Sequence, residues 1–119
     1  MRHENYLSFE GYATDTEYLD HGKLVFTIIQ SEEYTVKDTG EVRENKVFLD
    51  CEAYGKYAEV MKDKINKGDH IKITGRLKQD EWTDKETGKN RKKIVVALNN
   101  INILTTKEQR DYLKTMNKK

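Results

Sequence analysis

Proline is absent from the 119 residues, and no internal repeat or low-complexity stretch takes its place as a linker. One domain is therefore expected, because dividing so short a chain would leave both halves too small to bury much apolar surface. A single cysteine, Cys51, excludes an internal disulfide, and its apolar-rich surroundings suit a buried, inert thiol. No run approaches the ~20 apolar residues of a membrane span, and Met1-Arg2-His3-Glu4-Asn5 leads into the first strand pattern without a signal-like apolar segment. A soluble, cytoplasmic protein with no membrane partner is expected. Excess charge is missing too: the formal net charge is +1. The three histidines, His3, His21 and His70, are too scattered for a zinc site. No Walker loop, GxSxG turn or nucleophile with a neighbouring base occurs. Asp80, Glu81, Asp84 and Glu86 are close in sequence, but Trp82 stands where a calcium loop needs an oxygen ligand. Neither an enzyme, a metal nor a cofactor is expected.

What the chain does contain is 36% charged residues interleaved with seven Tyr, three Phe and one Trp. Disordered chains are poor in such aromatics. The charge is also unevenly spread. Residues 1–22 carry one Arg against five acids, residues 72–93 eight Lys or Arg against four acids, and the last fifteen residues five bases against two acids. Local basic surface, rather than the total, is what would meet phosphate.

The apolar pattern is mostly of period two, the mark of strands. Tyr6–Tyr12 predicts a first strand with a bend at Gly11, and an acidic turn ending at His21-Gly22 leads to a second over Lys23–Gln30. A polar arm, Ser31–Lys46, reverses near Asp38-Thr39-Gly40, and Val47–Tyr54 makes the third strand. Tyr57, Ala58, Met61 and Ile65 recur at helical spacing between Gly55 and Gly68. His70–Leu77 is a fourth strand with a bend at Gly75. A second arm, Lys78–Lys93, turns at Thr87-Gly88, and Ile94–Leu98 is the fifth strand, extended or ended by Ile101–Leu104. This order suits a five-stranded barrel whose helix lies between strands three and four. The barrel is expected to span residues 1–105, with residues 106–119 a basic tail that is either helical or frayed.

The aromatics carry the functional signal. Trp82 lies among Asp80, Glu81, Thr83 and Asp84, and Tyr34 is similarly placed in the first arm, so an exposed ring there buries little unless a ligand or a second subunit covers it. Phe48 and Tyr54 share one face of the third strand, near Lys46 and Lys56, and fit a stacking platform and a barrel core equally well. Tyr12, Phe26 and Tyr57 fit core positions. A π-face beside Lys or Arg binds any unpaired base, at ~1–3 kcal/mol per base. Lys72, Arg76 and Lys78 alternate along the fourth strand and Lys89, Arg91, Lys92 and Lys93 close the second arm. Beside Trp82 they read as a phosphate track. Lys114, Lys118 and Lys119 add diffuse attraction.

Several segments resemble the bacterial-type single-stranded DNA-binding protein family. These are Asn5-Tyr6-Leu7-Ser8-Phe9-Glu10-Gly11 at the first strand, Tyr54-Gly55-Lys56-Tyr57-Ala58-Glu59 at the approach to the helix, Lys67-Gly68 through Gly75-Arg76-Leu77 at the fourth strand, and Trp82-Thr83-Asp84 with Gly88 in the second arm. They fall in family order between residues 5 and 104. The resemblance implies an OB fold, an all-β Greek-key barrel with one helix and long hairpin arms. It also implies binding and protection of single-stranded DNA in replication, recombination or repair, with stacking at Tyr34, Phe48, Tyr54 and Trp82. It further implies homo-oligomers, usually tetramers with dimers the other arrangement, and an interface along the first-strand edge at Tyr6, Leu7, Ser8 and Phe9. The family's usual acidic C-terminal peptide is not matched by Thr115-Met116-Asn117-Lys118-Lys119, so recruitment of repair or replication enzymes by that route is not expected. A tailless form suits a phage or mobile-element protein, or a trimmed chain. The competing readings are an RNA-binding OB module and a replication-restart accessory acting through protein contacts.

Overall fold

Alternation of apolar and polar residues becomes, in the computed structural model, five long strands that close on themselves. The structure describes residues 3–117; the expectations placed on Met1, Arg2, Lys118 and Lys119 lie outside them. The elements are β1 (Leu7–Ala13), β2 (Glu17–Leu19), β3 (Lys23–Thr35), β4 (Val42–Tyr54), α1 (Gly55–Met61), β5 (His70–Thr83), β6 (Asn90–Thr105) and α2 (Lys107–Asn117). The sheet order is β1-β5-β6-β4-β3, and β1 pairs back onto β3 at Tyr12 and Ala13 to complete the circuit. Among the described residues only the β4–β6 seam, Cys51 beside Val96, is parallel.

Two glycines make the closure sterically feasible. A Cβ on Gly11 would stand 2.6 Å from Ile28 Cγ2 and from the Ile29 carbonyl oxygen, and one on Gly75 would stand 2.4 Å from the Ala97 carbonyl oxygen. The expected bends are thus places where two backbones approach too closely for any side chain. At Gly75 the β5–β6 register also shifts, passing over Asn99, and the segments Ile94–Leu98 and Ile101–Leu104 form one bulged strand.

Inside, Leu24, Phe26 and Ile28 of β3 face Ala53 and Cys51 of β4, and Ile71, Ile73, Val96 and Ile101 complete the buried cluster. The helix is shorter than its spacing predicts: α1 ends at Met61, and Ile65 reaches the core from the turn that follows. The acidic stretch before Gly22 is not simply a turn, because Glu17–Leu19 pairs with β3 as β2.

Both arms are continuous extensions of barrel strands and reverse in the same way. Lys37-Asp38-Thr39-Gly40 and Lys85-Glu86-Thr87-Gly88 each end in a left-handed glycine, φ 69° and 70°, whose N–H donates four residues back, to Val36 and Asp84. The threonine hydroxyl of each accepts the next free N–H, from Glu41 and Lys89.

The tail is ordered over α2. Thr106 and Gln109 form a reciprocal capping box at 3.0 and 2.9 Å. The buried Asp69 carboxylate accepts from the N–H groups of Asn66 and Lys107, while Arg110 donates to the Gly68 carbonyl and lies 5.1 Å over the Tyr12 ring. Tyr12 is therefore not a core residue. It is 47% exposed, facing outward between Gly11 and Ala13, and stacks on His70. Tyr57 is half-buried, its hydroxyl accepting the Ile101 N–H at 2.6 Å, and Phe26 is core. No described helix is long and apolar enough to cross a membrane.

Candidate nucleic-acid interface

Because Cys51 and Ala53 face the barrel interior, alternation turns Phe48, Asp50, Glu52 and Tyr54 outward. Phe48 is 64% and Tyr54 43% exposed, which places both outside the core. On the β5–β6 arm, Lys78, Asp80 and Trp82 share a face, opposite Val95, Lys93 and Arg91 respectively. That face meets the outside of β4: Lys78 Nζ lies 3.3 Å from Glu52 Oε2 and bonds the Tyr54 hydroxyl, and Lys93 lies 3.5 Å from Asp50. The face bearing Trp82 is thus continuous with the one bearing Tyr54 and Phe48. Trp82 is 47% exposed and lines an open cleft of ≈ 490 Å³ with Glu81, Thr83, Asn90, Arg91 and Lys92.

Tyr34 is not brought to this face. It pairs with Arg43 on the β3–β4 arm, and uninterrupted register from Ile28 sets it on the side that continues the barrel interior. It is nonetheless exposed.

The basic residues divide into two groups. Lys46 lies near Glu44 at 3.9 Å, Lys78 near Asp80 at 3.0 Å, Arg91 near Asp84 at 3.4 Å and Lys93 near Asp50. Lys56, Lys72, Arg76 and Lys89 are exposed, and among the described residues none has a carboxylate within 4.0 Å. The two lysines that lie over the Tyr54 ring, Lys23 and Lys78, are both paired with acids.

Glu52, Lys23 and Asp80, to which the sequence pattern assigns no binding role, organise the centre together with Lys78 and Tyr54. Glu52, almost fully buried, accepts from Lys23 at 2.7 Å, from Lys78, and from the Tyr54 hydroxyl, while Asp80 approaches both lysines. Burial alone would raise the Glu52 carboxyl; the hydrogen bonds it accepts from Lys23, Tyr54 and Lys78 outweigh this and bring it down to about 2. The Lys78 ammonium is held above its ordinary value, first by its bond to Tyr54 and then by Asp80, and Lys23 is raised chiefly by Glu52. Tyr54 is raised, mainly by burial and then by Glu52. Burial and the nearby Asp50 charge push the Cys51 thiol up to about 12, as an inert thiol requires. The available signal for this cluster was two acids, Asp50 and Glu52, alternating between two outward aromatics.

At the edge, Leu7 and Phe9 turn inward onto the core, whereas Tyr6 and Ser8 are exposed. β1 pairs with β5 along its length but with β3 only at Tyr12 and Ala13, so its other edge over Leu7–Glu10 carries no described strand partner. The Asn5 amide continues the β1–β5 pairing by bonding both backbone groups of Leu77 at 2.9 Å.

The model of the single-strand binding protein family matches residues 12–104. The chain belongs to this family.

Relatives in the family carry its activity in their names. Single-stranded DNA-binding protein 1 of Synechocystis sp. is 33% identical over 82% of this chain and 78% of its own length. The single-stranded DNA-binding protein of Borreliella burgdorferi is 25% identical over 78% of this chain, which spans only 62% of that protein. Solved structures confirm the fold. The Plasmodium falciparum SSB in complex with ssDNA superimposes with a TM-score of 0.72 at 17% identity, covering 87% of this chain and 97% of that one. A deletion mutant of the Thermus aquaticus single-stranded DNA-binding protein gives 0.68 at 24% identity, covering 89% of this chain and 53% of that one. The barrel is an OB fold of the single-stranded DNA-binding type.

Proposed function

We propose that this chain binds and protects single-stranded DNA without strong sequence preference, in replication, recombination or repair, and performs no catalysis. The observation that carries the reading is the continuous outer face of β4 and the β5–β6 arm, which presents Phe48, Tyr54 and Trp82 half-exposed on a family-matched barrel. Unpaired bases stack on these rings, and Tyr34 adds a platform where a strand wraps the other arm. Lys56, Lys72, Arg76 and Lys89 supply phosphate contacts, with Lys46, Arg91 and Lys93 contributing where a phosphate displaces their acid partners. The DNA-binding unit is residues 1–105, with residues 106–119 an accessory tail.

One barrel covers ~4–16 nucleotides, so protecting longer strands calls for several copies. The unpaired β1 edge at Tyr6–Phe9 suits pairing with a second copy, and a tetramer is the arrangement favoured. The compartment proposed is the cytoplasm.

The test is titration of a dye-labelled oligo-dT by anisotropy, with unlabelled DNA, RNA and duplex competitors. Tight binding displaced by single-stranded DNA well before duplex supports the proposal. Indifference to single strands, or preferential displacement by RNA, contradicts it.

A further inference from the structure

We infer that Glu52 is a positioning residue of the DNA site: it tethers the Tyr54 ring and holds Lys23 and Lys78 back from phosphate, so this stretch grips a strand by stacking rather than by charge. The inference rests on the proposed function and deepens it.

The geometry is specific. Glu52 sits on the outward face between Asp50 and Tyr54, yet its side chain is only 5% accessible, because Lys23 reaches it from β3 at 2.7 Å and Lys78 from β5 at 3.3 Å. Both ammonium groups also lie over the Tyr54 ring, at 5.9 and 4.8 Å from its centroid, and the ring's hydroxyl bonds both Glu52 and Lys78. Asp80 completes the group at 3.0 Å from Lys78 and 3.9 Å from Lys23. Two cations and two carboxylates thus cancel directly beneath a half-exposed aromatic ring.

A lysine neutralised by a protein carboxylate releases few counterions when DNA arrives, so it adds little to the salt dependence of binding. Nor does either lysine leave Glu52 easily, since a buried carboxylate stripped of its partners is strongly unfavourable. Lys56, Lys72, Arg76 and Lys89 are under no such restraint. The surface is therefore divided into a charge-neutral stacking centre and a charged periphery.

Oligo-dT affinity measured against salt concentration for the wild type and for Glu52→Gln tests this. The glutamine keeps the shape and removes the charge that holds the lysines. The log–log slope is expected to steepen by about 0.7 for each lysine released, so the affinity ratio of variant to wild type falls about fivefold per released lysine over a tenfold rise in salt. Asp80→Asn, on the arm outside the barrel, is expected to steepen the slope in the same direction and decides the matter if Glu52→Gln does not fold. Tyr54→Phe keeps both lysines paired and should weaken binding with the wild-type slope.

Parallel salt lines for folded Glu52→Gln or Asp80→Asn overturn the inference, as a merely structural role would lower affinity equally at every salt concentration. If the wild type itself ignores oligo-dT, the proposed function fails first and the inference falls with it. Wild-type binding with parallel lines sinks the inference alone.

Discussion

Lys23 and Glu52 meet at 2.7 Å as a diagonal pair, because the β3–β4 register sets Lys23 opposite Tyr54 and Glu52 opposite Val25. The contact joins neighbouring strands where Lys78 and Asp80 lean in from a third, so it reports on barrel closure as well as on the site. A carboxyl held at about 2 in the folded protein, below its ordinary 4.5, favours folding at all pH values above its unfolded value. That stability is lost as the pH falls from about 4.5 towards 2. Urea midpoints from pH 6 down to pH 2.5 should show Glu52→Gln losing ~1–3 kcal/mol less than the wild type over this window. Equal losses would mean that the carboxylate is not paired in solution.

Gly11 and Gly75 are predicted to be the least replaceable glycines. Alanine at either position meets a backbone carbonyl at 2.6 or 2.4 Å, and neither partner strand can retreat without opening the barrel. Urea unfolding should show a loss of ~1–3 kcal/mol for each variant. Gly88→Ala meets no atom within 4 Å and incurs only the left-handed backbone strain, so it should cost less. A Gly11→Ala protein as stable as the wild type would place the β1–β3 seam elsewhere.

The anchoring of α2 is separable from the barrel. Replacing Thr106 by Ala removes half of the capping box, at ~1 kcal/mol to the helix, and Arg110→Ala removes the link to Gly68 and Tyr12. Hydrogen exchange should show α2 amides losing protection while β3, β4 and β5 keep theirs. Loss of protection across the whole chain would make α2 part of the barrel's folding unit.

The legible part of the fold was whatever alternation and turn chemistry encode locally. The barrel strands, the bends at Gly11 and Gly75, and both arm reversals follow from residues close in sequence. The short strand Glu17–Leu19 does not, because acids at every second or third position look the same in a turn as on an exposed edge. Tyr12 misleads for a related reason: β1 carries aromatics on both parities, and only the approach of Ile28 and Ile29 to Gly11 decides that small residues face inward there. The Thr106-to-Gln109 capping box is a local signal that strand periodicity does not use. For the site, Trp82 on a polar arm was readable. The pairing of Lys78 with Glu52, and the separation of Tyr34 from Phe48, depend on β3, β4 and β5 coming together, which no local window contains.

The basic residues should therefore differ in effect although their sequence pattern is uniform. Lys72→Ala and Arg76→Ala are expected to reduce the salt slope of oligo-dT binding by about 0.7 each. Lys78→Ala should leave the slope nearly unchanged while weakening binding through Tyr54. A uniform slope change across the three would show that the acid pairing does not persist in solution.

Stacking of an unpaired strand on exposed rings can be read at Trp82, the single tryptophan of the chain. Its fluorescence should be quenched on adding oligo-dT and barely altered by duplex. Trp82→Ala should lose ~1–3 kcal/mol of affinity with the fold intact. Oligo-dT that binds without changing the Trp82 emission would mean that the strand does not stack on this face.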